Sequence, residues 1–166
     1  MQLAFGLMLA TLAALLQGAV VAQIADGPRP DLALLVVLAW SMLRGVAEGT
    51  VAGLTAGLAL DLLSAAPFGL HTGLFVLIGA ATALGEENLF RGSLPLAVLA
   101  AALAALLLHG GSLLILQASG QQTVGFVRFL QFAVPTLLLD ALLMPLVFLL
   151  VRRWVRLLAG WRQLQL

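Results

Sequence analysis

Four ionisable side chains lie where the sequence is otherwise apolar, and these are the first candidates for chemistry. Asp140 lies well inside one long apolar segment, and Asp61 lies near the end of another. A carboxylate in such surroundings must be protonated, hydrated or paired. His71 and His109 show no sequence spacing, to each other or to a carboxylate, that is typical of a metal site. No set of nucleophile, base and acid is visible, so we predict no catalytic residue and no metal site.

The composition around these residues excludes a soluble globular domain. Of 166 residues, 63% are hydrophobic and only 9% are charged, and the mean hydropathy is +1.14. An ordinary soluble domain has about 25% charged residues, which it needs to cover its core. The chain contains no cysteine, so disulfides and thiolate metal ligands are excluded. We therefore expect an integral membrane protein in the lipid bilayer, without a cofactor.

Six apolar segments are predicted to cross the membrane as helices of one domain spanning residues 1–166. A crossing of about 30 Å of hydrocarbon takes roughly 20 apolar residues. Arg44 and Glu48 interrupt the second and third segments, so these two helices are predicted to be short, with a re-entrant pair as the alternative. Pro135 and Pro145 are expected to tilt or kink the long sixth helix. The predicted spans are 3–24, 31–45, 48–64, 69–85, 94–116 and 124–151, followed by a basic interfacial tail at 152–166.

The distribution of arginine predicts the orientation. With six spans, both termini lie on one side, and the loops of the opposite side contain Arg29 alone. The positive-inside rule therefore places both termini in the cytoplasm. Trp154 and Trp161 beside the tail arginines are typical of a membrane interface, and Arg128 is expected to snorkel to the outer surface. The arginines assigned to the cytoplasmic side are Arg44, Arg91, Arg152, Arg153, Arg156 and Arg162.

The third segment contains a glycine stripe, formed by Gly45, Gly49, Gly53 and Gly57, and Asp61 continues its spacing of four. Residues four apart lie on one helix face, and small residues allow close helix approach in lipid. We favour the interpretation that the stripe packs against other helices of this protein. The alternative is that it forms a docking surface for a helix of another protein. For Asp61 we favour capping of the next helix, where a carboxylate is stabilised; a ligand-facing carboxylate is the alternative.

Asp140 is the charge that most needs an explanation. It lies 16 residues into the sixth span, about 24 Å along the helix axis. A charge at that depth costs several kcal/mol unless it is neutralised, hydrated or paired. We expect a functional residue or a member of a buried polar network, and its charge state is left open. Arg128 lies about 18 Å away along the same helix and cannot pair with it.

Several motifs resemble those of the rod shape-determining protein MreD family. Pro30-Asp31-Leu32 precedes the second span, and the glycine-rich helix ends in Asp-Leu-Leu-Ser at 61–64. The turn Pro67-Phe68-Gly69-Leu70 follows. Near the end of the chain, Asp140 precedes Pro145 by five positions, and the pair Arg152-Arg153 comes after. The family more often has Asn where this chain has Asp140.

The resemblance implies a non-enzymatic scaffold in the bacterial inner membrane that acts in cell elongation. It implies a single-span partner, MreC, in a complex with MreB, the RodA glycosyltransferase and a class B penicillin-binding transpeptidase, which builds lateral-wall peptidoglycan. It also implies a six-helix bundle similar to the S-components of ECF transporters. The residues that the motifs single out are Gly49, Gly53, Gly57, Asp61, Pro67 and Gly69, and the glycine stripe suggests a platform for the MreC helix.

Two other functions remain open from the residues themselves. An ECF S-component that binds a vitamin-like molecule would share the fold, but its site needs several convergent polar groups. The outer side offers few of these: Gln121, Gln122, His71, Asp61 and Arg128. A cavity for a lipid headgroup near Asp140 or Arg128 is the third hypothesis. Nucleic-acid binding has no support, since the few basic residues follow the membrane topology.

Overall fold

The computed structural model describes residues 2–21, 28–89, 93–120 and 126–163, and side chains within most of these ranges. The regular secondary structure of this part of the chain is all helical, without a strand. The prediction of an all-α protein with six helices is confirmed. The helices are α1 (Gln2–Leu16, continued by a π-helical turn at Gln17–Val21), α2 (Leu32–Arg44), α3 (Val46–Leu63), α4 (Leu70–Leu89), α5 (Leu94–Ala118) and α6 (Phe126–Gln163).

Three of these helices are long and apolar enough to cross a membrane. The apolar stretches are Val46–Leu63 in α3, Leu94–Ala118 in α5 and Phe129–Leu157 in α6. The apolar stretches of α1, α2 and α4 are shorter, and the 13 residues of α2 extend only about 20 Å. Because that is less than the hydrocarbon thickness, one end of α2 must lie inside the bundle.

The helix boundaries follow local signals in the sequence. A single residue, Gly45, separates α2 from α3, and its φ of 87° is a conformation that other residues rarely adopt. The break between α2 and α3 therefore occurs where the sequence predicts it, between the second and third apolar segments. The first predicted span reached residue 24, but residues 22–27 lie outside the described part.

The C-terminal end of α6 differs from the expectation. We predicted that the sixth membrane span ends at 151 and that a basic interfacial tail follows at 152–166. Instead, α6 continues without interruption to Gln163. The physical reason is that residues 146–159 contain no glycine or proline, so nothing in the sequence stops the helix. Arg152, Arg153 and Arg156 consequently lie on the last turns of the same long helix.

Helix α2 forms the centre of the bundle. It contacts all five other helices, and nine of its 13 residues are buried, Trp40 among them. At its C-terminal end, Nη2 and Nε of Arg44 donate to the Glu48 carboxylate over 2.6 and 3.0 Å. In lipid, burial of these apolar side chains provides little hydrophobic driving force, because the alternative environment is equally apolar. Close packing and polar contacts must therefore hold α2 in place.

The glycine stripe is packed inside the protein, against α2 and α4. A Cβ atom at Gly53 would overlap the backbone carbonyl of Phe75, and one at Gly57 would lie 2.5 Å from Cα of Thr72. Gly79 of α4 approaches the backbone of Gly49 equally closely. The stripe thus allows backbone-to-backbone contact between α3 and α4. This position corrects the suggestion that the stripe itself receives the MreC helix, because its face is already covered.

We predict that Gly53→Ala lowers the free energy of unfolding by about 2 kcal/mol, because a backbone carbonyl cannot give way to the added methyl group. Gly73→Ala is the matched control, since a Cβ there meets nothing within 4 Å and the residue is exposed. It should leave stability unchanged or raise it by up to about 1 kcal/mol. Denaturant titration in detergent, followed by circular dichroism, measures both. Equal stability of the two variants would contradict the packing.

Candidate functional site

The first polar cluster surrounds Asp61 in the last turn of α3. This side chain is 4% exposed. Its Oδ2 accepts hydrogen bonds from the backbone N–H of Gly69 and Thr72 and from the Thr72 hydroxyl, over 2.9, 3.0 and 2.6 Å. Its Oδ1 accepts from the backbone N–H of His71 at 2.9 Å and lies 2.9 Å from His71 Nδ1. Both carboxylate oxygens are therefore fully engaged.

The turn between α3 and α4 explains this geometry. Pro67 begins the turn, with its carbonyl accepting from the N–H of Leu70 at 3.2 Å. Gly69 has a φ of 97°, which directs its N–H toward Asp61. The first N–H groups of α4 have no partner within their own helix, and the helix dipole favours negative charge there. Asp61 satisfies these groups and fastens the end of α3 to the start of α4.

The second polar cluster, which we call the Asp–His–Asp cluster, consists of Asp31, His109 and Asp140. Asp140 is fully buried, and its Oδ1 accepts from the backbone N–H of Asp31 at 2.8 Å. Nε2 of His109 lies 3.0 Å from Oδ2 of Asp31. One ligand atom from each of the three residues lies within 4.8 Å of the others. The cluster thus joins the start of α2 to the middle of α5 and α6.

Gln17, which follows α1 directly, forms hydrogen bonds to Asp31 of the cluster and to the start of α2. It is the first residue of the π-helical turn, a type of irregularity common at functional sites. Its Nε2 donates to Oδ1 of Asp31 at 2.8 Å, and its Oε1 accepts from the N–H of Ala33 at 2.9 Å. Asp31 itself makes no side-chain cap on α2. Gln17 takes over that role, and the Asp31 side chain is turned toward His109.

Each member of the cluster has one buried polar atom without a hydrogen-bond partner within the described part of the chain. These atoms are Oδ2 of Asp31, Nε2 of His109 and Oδ2 of Asp140. The first two atoms lie 3.0 Å apart, which is within hydrogen-bond and ion-pair distance, so Oδ2 of Asp140 is the atom of the cluster without such a contact. An unsatisfied buried polar atom costs about 1–3 kcal/mol. An unsatisfied carboxylate oxygen beside this Asp31–His109 pair indicates a place that can hold a proton or a cation.

Helix lengths place the cluster at a definite depth. Asp140 precedes Arg152 by 12 residues, about 18 Å along α6, and Asp31 precedes Arg44 by 13 residues, about 20 Å along α2. The cluster therefore lies well inside the bundle, on the side away from these arginines. A pocket of about 360 Å³ adjoins the cluster at His109 and is lined by His109, Ser112, Leu113, Leu116, Phe129, Phe132, Ala133 and Thr136.

The other predicted site residues lie apart from both clusters. Arg152, Arg153 and Arg156 line a shallow pocket of about 390 Å³ on α6, together with Leu149 and Leu157. Arg128 belongs to the first turn of α6, and its side chain lies outside the described part.

Sequence reasoning missed several members of the two clusters. It found no relation between the histidines and the carboxylates, yet His71 and His109 each lie within 3.0 Å of an aspartate. Gln17 was not singled out, and Asp31 appeared only in a family motif. The available signal was the rarity of polar residues: His109 is the one ionisable residue of α5.

Apolar helices packed around buried polar contacts and joined by short turns define a helical membrane protein. The family model of the rod shape-determining protein MreD matches residues 1–158 of the 166-residue chain, and the chain therefore belongs to the MreD family. No curated protein and no solved structure matches the chain. The family assignment confirms the resemblance found in the sequence and supports a role in rod-shape determination.

We predict that Asp61→Asn destabilises the protein by about 2 kcal/mol or more, because an amide NH₂ would replace an oxygen that accepts hydrogen bonds. Thr72→Val removes one of these bonds and should cost about 1 kcal/mol. Ser64→Ala is the control in the same turn, since the buried Ser64 hydroxyl has no partner in the described chain. It should change stability by less than about 0.5 kcal/mol. Thermal unfolding in detergent ranks the variants, and a different order would contradict the capping role.

Proposed function

We propose that this protein is a non-enzymatic scaffold of the bacterial elongation complex. It binds the single-span protein MreC and supports lateral-wall peptidoglycan synthesis by RodA and a class B penicillin-binding transpeptidase, in concert with MreB. The observation that carries the proposal is the MreD family match over residues 1–158. It places the chain in a family that determines rod shape.

The architecture supports a scaffold role. The turns between α2, α3 and α4 are short, with one residue in the first and six in the second. The central helix contacts every other helix, and α3 and α4 pack backbone to backbone. Such a bundle resists deformation, since close-packed interiors have few alternative arrangements. A firm platform of this kind suits a protein that holds partners in position.

Because the glycine stripe is covered, the MreC helix must dock on an outer face. Three glycines offer a direct way to locate that face. A Cβ at Gly73, Gly85 or Gly110 meets nothing within 4 Å, and none of the three has a positive φ. A leucine at the exposed Gly73 therefore adds bulk to the outside of α4, whereas Gly85 and Gly110 are half-buried and a leucine there adds bulk at the edge of the bundle.

We predict that the tagged chain, coexpressed with MreC, RodA and the transpeptidase, retains MreC through gentle solubilisation and gel filtration. The same chain should restore rod shape to cells depleted of their own MreD. Gly73→Leu, Gly85→Leu and Gly110→Leu should all fold, and loss of MreC from one folded variant would mark the docking face. Mass spectrometry of the purified complex identifies what is bound.

Two results would contradict this function. Failure of the folded wild-type chain to retain MreC would remove the proposed partner. A lone protein that retains a vitamin-sized molecule through gel filtration would instead identify an ECF S-component, the alternative that the sequence left open.

We further propose that the protein lies in the inner membrane with both termini in the cytoplasm. Six of the eight arginines fall on the side assigned to the cytoplasm, and Arg153 and Arg156 are exposed near the end of α6. A green fluorescent protein fused to the C-terminus should fluoresce, whereas alkaline phosphatase at the same position should be inactive. The reverse pattern would place the termini outside.

A further inference from the structure

We propose that the Asp–His–Asp cluster binds one divalent transition-metal cation, of the type represented by Zn²⁺. Its ligands are a carboxylate oxygen of Asp31, Nε2 of His109 and a carboxylate oxygen of Asp140. This inference is independent of the proposed scaffold function, since it depends only on the three side chains and their surroundings.

The geometry is close to that of a metal site. One ligand atom from each residue lies within 4.8 Å of the other two, and the His109–Asp31 pair is already at 3.0 Å. Zinc binds His nitrogen and carboxylate oxygen at about 2.0–2.2 Å, so tetrahedral ligand atoms lie roughly 3.3 Å apart. A side-chain movement of about 1 Å therefore closes the three ligands around an ion.

The hydrogen bonds leave one ligand atom available on each residue. Oδ1 of Asp31 accepts from Gln17, and Oδ1 of Asp140 accepts from the backbone of Asp31. Of the remaining atoms, Oδ2 of Asp140 is buried without a partner in the described chain, and Oδ2 of Asp31 and Nε2 of His109 face each other at 3.0 Å. Asp140 is fully buried, and the side chain of Asp31 is 12% exposed. Metal ligands are oriented in this way by the groups around them, with their other atoms engaged.

The charge balance favours a dication. Two carboxylates held this close repel each other, and the low dielectric of a bundle interior makes that repulsion strong. A divalent ion balances the two negative charges while His109 stays neutral and uses Nε2 as a ligand. The site is then uncharged overall, which removes most of the cost of carboxylates inside a membrane bundle.

The donor set selects the class of metal. Mg²⁺ and Ca²⁺ prefer oxygen ligands throughout, whereas one imidazole and two carboxylates suit Zn²⁺ and similar transition metals. Three protein ligands leave a coordination position for water. The pocket of about 360 Å³ that reaches His109 and Thr136 gives both the ion and this water a route. The bound ion would fasten α2, α5 and α6, with Gln17 of α1 supporting Asp31.

The test measures metal binding by the full-length protein in detergent. Wild-type protein, stripped with a chelator, is titrated with ZnCl₂ against a zinc-binding dye, and its metal content after dialysis is measured by plasma mass spectrometry. We expect one Zn²⁺ per chain. Asp140→Asn keeps the shape of the side chain and the oxygen that accepts from Asp31. It should weaken zinc binding by about 100-fold or more, since even groups behind the ligands contribute 10–100-fold. His109→Gln should have the same effect.

His71→Gln is the matched control. His71 also lies about 3 Å from an aspartate and has a similarly exposed side chain, but it is not part of the cluster. This variant should bind zinc like the wild type. Circular dichroism and gel filtration verify that each variant is folded. Should His109→Gln fail to fold, the wild type and Asp140→Asn are sufficient, because Zn²⁺ should raise the unfolding temperature of the first alone.

Two outcomes would overturn the proposal. Wild-type protein without stoichiometric zinc and without a zinc-dependent rise in unfolding temperature would show that the cluster is not a metal site. Equal zinc binding by the wild type and folded Asp140→Asn would place the ion elsewhere. Loss of zinc binding in His71→Gln together with its retention in His109→Gln would point to the Asp61 cluster.

Discussion

The hydrogen bond from the backbone N–H of Asp31 to the Asp140 carboxylate is the interaction on which the arrangement of the bundle depends. Helix α2 is too short to cross the hydrocarbon, so its first turn lies among other helices, where water is scarce. Its N–H groups must then find acceptors within the protein. Asp140 satisfies the N–H of Asp31, and Gln17 satisfies that of Ala33. These contacts set the depth of the central helix, and all other helices pack against it.

At the start of α4, the first backbone N–H groups likewise need acceptors within the protein, and a carboxylate again provides them. There Asp61 accepts from three backbone N–H groups, and the glycine stripe brings α3 and α4 close enough for it to reach them. Carboxylates at helix N-termini thus replace the hydrophobic driving force that lipid does not provide between helices. This explains Asp61 and Asp140, two of the three aspartates that are buried in the described part of a chain with only seven acidic residues.

The sequence predicted local features well and long-range contacts poorly. The break near Gly45, the turn at Pro67 and the capping role of Asp61 all involve residues within about one turn or loop of each other, and residue types alone indicate them. The Asp–His–Asp cluster requires α2, α5 and α6 to be packed first. Helices that are apolar all round carry no periodic pattern to show which face turns inward. His109 could therefore be noticed in the sequence but not assigned a partner.

The two clusters differ in how many of their carboxylate oxygens accept hydrogen bonds. This difference distinguishes a carboxylate with a structural role from one that has an oxygen available for a ligand. Asp61 has donors on both oxygens, so another ligand would have to displace existing bonds. Asp140 has one donor, and its second oxygen faces a histidine and another aspartate without a bond. A bundle interior penalises unsatisfied groups strongly, and a purely structural role for Asp140 would be served as well by an uncharged amide with the same single acceptor. The second oxygen of Asp140 therefore has no structural task that an amide could not perform, which makes the centre of the bundle the place to look for a ligand of this protein.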